Sequence, residues 1–295
     1  MKPLRLAILA LIVAGDVWAV EDPTAGGGQA GQFLSWGAGA RALGMGKAFV
    51  GVADDASATY WNPAGMPQME RKELSALHAI LWSQTSFDFL SFVYPHPTLG
   101  AFGGNITRLS SGGFEEVDAD NKAGGTFSDN QTAFTAAYGR SLTEVVSVGF
   151  NLKYVAHTLG AFSNSFFGMD LSLMNRIPAF KGFRAGLRLS NLVAGTIGDT
   201  EDRLPVGARL GASYKTLKDK LMIALDLDQT LREKQRPGWH AGTEYWVLNY
   251  AALRLGFEGG KGAGLRETTA GLGVKYRDYG LDYAIGLHAL GASHR

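Results

Sequence analysis

From residue 73 onward the chain falls into segments of about ten residues in which apolar side chains alternate with polar or small ones, and turn-forming residues separate the segments. Val146, Val148, Phe150, Leu152 and Tyr154 share one side of such a ladder, with Ser147, Gly149, Asn151 and Lys153 on the other. Phe183, Ala185, Leu187 and Leu189 oppose Arg184, Gly186, Arg188 and Ser190, and Leu221, Ile223, Leu225 and Leu227 oppose Met222, Ala224, Asp226 and Asp228. The same period of two runs through 251–258 and 279–288. It predicts strands near 73–82, 86–94, 99–108, 131–140, 145–157, 165–176, 183–191, 204–215, 220–229, 238–247, 250–259, 267–276 and 279–288.

The connections alternate in length. Those after every second strand are short (95–98, 141–144, 177–182, 216–219, 248–249, 277–278), and those after the others are mostly longer (109–130, 158–164, 192–203, 230–237, 260–266). Outer-membrane barrels show this alternation, with short periplasmic turns and longer external loops. The predicted fold is therefore all-β: a transmembrane antiparallel β-barrel over residues 73–295, with apolar side chains toward lipid.

Composition agrees. The chain has 40 glycines, 16 Phe, 10 Tyr and 6 Trp with only 19% charged residues, a mixture of strand and turn formers. Lys2, Arg5, the apolar run 6–14 and the small residues around Ala19 form a secretory signal peptide at 1–19, too short an apolar run for a bilayer-spanning helix. The expected location is the outer membrane of a diderm bacterium. Without cysteine there is no disulfide framework, thiolate metal site or lipid-anchored Cys. A net charge of +1 and the lack of basic runs with interleaved aromatics exclude nucleic acid as a partner.

Glycine collects on the polar face of the ladders, at Gly149, Gly168, Gly186, Gly207, Gly211, Gly242, Gly256, Gly271, Gly273, Gly280 and Gly286. Removing side chains from an inner wall leaves room for a second backbone, so an N-terminal plug over residues 20–72 is expected inside the lumen. The simpler alternative is that glycine relieves strand curvature. The inward, lumen-facing charges are of both signs: Lys153, Asp170, Arg184, Arg188, Arg209, Asp226, Asp228, Glu244, Arg254, Glu258, Lys275 and Asp282. Such a lining suits ion pairs to a plug better than a selective pore, although plain solvation of the wall accounts for it equally well. Asp54 or Asp55 is placed to cap a short helix over 56–61, which Asn62-Pro63 ends.

The segment Gly37 to Gly65, with Gly-Ala-Arg-Ala-Leu-Gly-Met-Gly, Ala-Asp-Asp-Ala-Ser and Trp-Asn-Pro-Ala-Gly, resembles the hatch of FadL-like outer-membrane barrels. The forms of these motifs are most similar to the PorV/PorQ group. The resemblance implies a hatch carried by Gly44, Met45, Gly46, Asp54, Asp55, Trp61, Asn62, Pro63 and Ala64. It also implies that Leu-Gly-x-x-His-Arg at the end of the chain leads into a final strand. The thirteen predicted strands are an odd number, and a closed single-chain barrel needs an even one. About fourteen strands are thus expected, with the last apparently missing through truncation or a split gene, unless one strand is miscounted.

No phosphate-binding loop, nucleophile elbow or metal-ligand spacing is present, so no catalysis and no cofactor are expected. The resemblance implies passive transport of hydrophobic, fatty-acid-like small molecules across the outer membrane. The alternative is a non-transporting accessory barrel of the type IX secretion system, whose partners would be exported cargo proteins and secretion components.

Overall fold

The computed structural model describes residues 31–81, 84–117, 122–197, 203–231, 237–260, 267–288 and 291–295. The signal peptide at 1–19, the first part of the expected plug, and parts of the connections at 109–130, 192–203, 230–237 and 260–266 lie outside the described residues. Fourteen antiparallel strands form a closed barrel in which sequence neighbours are also spatial neighbours. They are β1 (Glu73–Ile80), β2 (Thr85–His96), β3 (Gly100–Val117), β4 (Ala123–Ser141), β5 (Val146–Leu159), β6 (Phe162–Arg176), β7 (Phe183–Ile197), β8 (Gly207–Thr216), β9 (Leu221–Thr230), β10 (Gly238–Leu248), β11 (Ala251–Gly259), β12 (Glu267–Tyr276), β13 (Tyr279–His288) and β14 (Gly291–His294).

The alternation read from the sequence sorts side chains to the two walls. Leu225, Leu227, Leu253, Leu255, Leu272 and Leu281 are exposed on the outside, while their neighbours Ala224, Asp226, Ala252 and Arg254 are buried. No helix of the described residues is long and apolar enough to cross a membrane, which says nothing about a barrel.

Three expectations need correction. The fourteenth strand is present: Gly291–His294 pairs with β13 from Ile285 to His288, and His294 pairs with Ile80 of β1, which closes the ring. It escaped the pattern because Gly-Ala-Ser-His has no apolar ladder; backbone pairing and the contact of His294 Nδ1 with the Tyr283 hydroxyl at 2.7 Å hold it. Nor is the connection 109–130 chiefly a loop, since β3 runs to Val117 and β4 starts at Ala123, with Phe114 paired to Phe127. Likewise β5 and β6 meet in a tight turn at Gly160, and β7 runs to Ile197. Hydrogen bonding between strands needs no apolar side chains, so strands continue where the apolar alternation has faded.

Before β1, the chain forms a 3-10 turn (Gln32–Ser35), helix α1 (Ala40–Gly44), helix α2 (Ala58–Trp61) and a second 3-10 turn (Pro63–Gln68). Nearly all of this segment is buried, and its contacts are with inward-facing residues of strands around the ring.

Candidate functional site in the barrel interior

The three motifs of the N-terminal segment each meet a different part of the wall. In the first, Arg41 of α1 donates to Glu244 at 2.7 and 2.8 Å, to Asp54 at 2.6 Å and to Asp55 at 3.0 Å. Burial alone would lower the pKa of Arg41, but the surrounding Asp54, Glu244 and Asp55 hold it well above the ordinary value. Gly44, Met45 and Gly46 then pass over glycines of the wall. Added side chains at Gly242 and Gly256 would overlap the backbone of Met45 and Gly46, and one at Gly271 would press on the Gly44 Cα. Gly46 also adopts φ +62°, and its N–H donates to Thr269 Oγ1 at 3.0 Å. The backbone thus turns where β11 and β12 leave room for nothing larger.

The second motif carries the two acids. Asp54 accepts from Lys215 at 2.8 Å and from Arg41, and lies 3.9 Å from Arg184. Burial would raise its pKa, yet Arg41 and Lys215 keep it well below the usual carboxylate range. Neither acid caps α2, which begins at Ala58 with Ser57 as an N-cap that makes no side-chain cap bond; Asp55 Oδ1 instead accepts the N–H and hydroxyl of Ser57 at 2.9 and 2.5 Å, in the turn before the helix. Between the acids and the first motif, the N–H groups of Phe49 and Val50 both donate to Asp226 Oδ2 at 3.0 Å.

In the third motif, the Trp61 indole N–H donates to the Ala38 carbonyl at 2.7 Å. Asn62 donates to Val50 O at 2.9 Å and Leu173 O at 3.2 Å, and its Oδ1 accepts from the Ala64 N–H at 3.1 Å. Asn62 is extended and ends α2, Pro63 opens the next turn, and the Ala64 N–H also meets Ser172 Oγ at 3.2 Å. Side chains at Gly139, Gly149 and Gly186 would overlap Pro63, Ala64 and Val50. Glycine as a marker of close backbone approach therefore applies to these wall positions. It does not apply to Gly280, which faces open space, or to Gly168, Gly207, Gly273 and Gly286, whose neighbours are other wall residues, joined at Gly168 by Leu204.

The expected lumen-facing charges are distributed as follows. Lys153 contacts Asp170 at 2.7 Å and Asn191 at 2.6 Å. Arg188 donates to the Tyr60 carbonyl at 2.7 Å and sits 3.7 Å from Asp170. Arg209 pairs with Asp226 at 3.0 Å and donates to the Lys47 carbonyl. Arg254 pairs with Glu244 at 2.7 Å and Asp282 at 2.6 Å. Lys275 is exposed, on the face of β12 that also carries Gly271 and Gly273.

Sequence reasoning passed over Arg41, Lys47, Tyr60 and Lys215. Lys47 pairs with Glu258 at 2.9 Å, beside His240, whose two ring nitrogens face Gly46 O and Asp228 Oδ1, both at 2.9 Å. Tyr60 accepts from the Gly37 N–H at 3.0 Å and donates to the Leu34 carbonyl, and burial raises its pKa. A lone Arg and a lone Lys among small residues were the available signal for the first two.

The remaining interior is apolar. Phe33 belongs to one buried apolar cluster with Leu77, Ala79, Leu81, Phe87, Phe89, Val155, Phe166 and Leu204, and Leu34, Trp36, Leu109 and Ala194 border it. Below it Thr59, Ser91, Asn105 and Asn151 form an uncharged hydrogen-bonded patch.

Comparison with known proteins agrees with this architecture. The family described as Uncharacterised protein family (UPF0164) matches residues 16–162. No curated protein matches the chain. The Ralstonia pickettii toluene transporter TbuX superposes with TM-score 0.61 at 14% identity, covering 88% of this chain and 95% of its own. A structure of the Pseudomonas putida toluene transporter TodX gives 0.66 at 12% identity, with 88% and 95% covered. A Pseudomonas aeruginosa FadL homologue gives 0.56 at 10% identity, with 85% and 93% covered. None of these singles out the PorV/PorQ group, and what they share with this chain is the barrel fold.

Proposed function

We propose that this chain is an outer-membrane barrel through which hydrophobic small molecules pass by diffusion, with residues 20–72 acting as a plug inside the lumen. The observation that carries this reading is the apolar cluster that the inner wall of β1 to β4 forms with Phe33: Leu77, Ala79, Phe87, Phe89 and Ala133 are buried in it, and Leu34 and Trp36 border it. An apolar solute gains from such a wall and gains nothing from a charged one. The outer wall, with leucines exposed at alternate positions, belongs in hydrocarbon, where a closed barrel satisfies all its backbone groups. The fold shared with toluene transporters and a FadL homologue supports the same solute class. Gly44, Met45, Gly46, Asp54, Asp55, Trp61, Asn62, Pro63 and Ala64 are the plug residues on which passage depends, and the barrel performs no catalysis. The accessory role in type IX secretion and the PorV/PorQ assignment have no observation behind them in the fold or the comparisons.

The test is uptake of a radiolabelled monoaromatic hydrocarbon and of a long-chain fatty acid into liposomes carrying the purified protein. Uptake above empty liposomes, lost on Phe89→Asp, supports the proposal; rates equal to empty liposomes overturn it.

A further inference from the structure

The outer wall of β2 to β6 carries a groove of about 640 Å³ that the transport reading does not use. Its floor lies at Gly104 and Ala136, which are directly paired across β3 and β4. Large exposed side chains rise around them: Phe92 beside Gly104, Leu152 beside Ala136, and Ile106, Phe134 and Phe167 next along the strands. Two small residues in adjacent strands thus cut a notch into an otherwise bulky apolar surface.

The groove has a polar end. Two residues beyond Ile106 on β3, about 6.7 Å along the strand, Arg108 projects from the same wall. Its side chain reaches Asn130 Oδ1 at 3.5 Å, and among the described residues no acid pairs with it. Asp88 lies opposite Arg108 in the β2–β3 register, but its carboxylate is engaged by His78 Nδ1 at 2.6 Å on β1. Along this wall an apolar notch is followed by an exposed guanidinium, the order met along a lipid from its chains to an anionic headgroup.

We infer that this groove is a binding site for a phosphate-bearing membrane lipid, with an acyl chain in the Gly104–Ala136 notch and the phosphate on Arg108. The inference rests on the outer wall facing a bilayer, and not on what passes through the lumen. Continuity with the lipid-facing wall selects hydrocarbon as the occupant, and the unpaired cation selects the headgroup charge.

Native mass spectrometry of the full chain, exchanged from detergent into dimyristoyl phosphatidylglycerol or dimyristoyl phosphatidylcholine, tests it. Both substitutions used are at exposed positions and leave the fold in place, which circular dichroism checks. The wild type is expected to retain phosphatidylglycerol in preference to phosphatidylcholine. Ala136→Leu, which fills the notch, lowers retention of both by about tenfold, and Arg108→Gln lowers phosphatidylglycerol to the phosphatidylcholine level. Equal retention by wild type and Ala136→Leu overturns the chain site, and an unchanged preference in Arg108→Gln overturns the headgroup site. Flotation with liposomes separates failure of the membrane reading, in which the protein does not insert, from failure of this inference, in which it inserts without retaining lipid. Liposome uptake requires insertion but is independent of lipid retention in the groove.

Discussion

The inner wall of the barrel is two different surfaces. Strands β1 to β4 present Leu77, Ala79, Phe87, Phe89, Val93, Ala101, Leu109 and Ala133 to the interior, with Ser91, Asn105, Thr107, Ser111 and Thr135 as the buried polar groups and Glu73, half-buried, accepting from the Ala56 N–H. Strands β7 to β13 present Arg188, Arg209, Asp226, Asp228, His240, Glu244, Arg254 and Glu258. The N-terminal segment meets both: Phe33 joins the apolar cluster, which Leu34 and Trp36 border, while Arg41, Lys47 and the bare backbone of residues 44–51 face the second, with the Lys47 ammonium over the Trp36 ring. The charged side is directional and the apolar side is not. One surface can hold the segment in register while the other accepts whatever apolar group fills it.

Breaking the charged side at its centre has the largest expected effect. Arg41→Ala removes the buried cation that Glu244, Asp54 and Asp55 share, leaving Glu244 with Arg254 and Asp54 with Lys215, at a cost of about 4 kcal/mol, read as a lowered midpoint of thermal unfolding in detergent. High salt should narrow the difference from wild type. On the apolar side, Phe89→Ala costs about 3 kcal/mol through the cavity it leaves, and here salt should make no difference, which is what separates the two walls. Gly256→Ala sets a methyl group against the Gly46 N–H and the Met45 carbonyl carbon, for about 2 kcal/mol of overpacking. Faster proteolysis of the N-terminal segment in that variant would show that the segment is what gives way.

Acid gives a smaller and graded effect with a defined sign. The carboxyl of Asp54 titrates lower in the folded chain than in the unfolded one, so its stabilisation is complete above about pH 4. That contribution is lost as pH falls from there toward the lowered folded value. Asp54→Asn should flatten this part of the pH–stability profile, and a parallel loss in the variant would show that Asp54 is not its source. Lys275→Ala, at an exposed position, should change stability by less than about 0.5 kcal/mol.

The strand ladders were legible because alternation is a local property: Val146 to Tyr154 reads as a strand from nine residues alone. The ends of β3 and β4 were not, since Ser110 to Phe114 and Phe127 to Asn130 carry no apolar alternation and are strands because they pair with each other and, nearer the barrel, with β2 and β5. The motifs between Gly37 and Gly65 stood out, and so did the inward glycines. Which glycine met which part of the segment was not readable, because Gly256 and Gly46 lie far apart in the chain and nothing in either sequence names the other.

By itself the sequence determined the barrel class, the two faces of most strands, and the presence of an unusual segment of small residues at the N-terminus. These follow from the pleat, which places neighbouring side chains on opposite sides wherever a strand forms. Only the tertiary structure decided that fourteen strands close the ring and that the interior divides into an apolar and a charged wall. It also brought Arg41 to Asp54, Asp55 and Glu244 together. Closure and ion pairing depend on distances between residues remote in the chain, and those distances exist only once the sheet has curled upon itself.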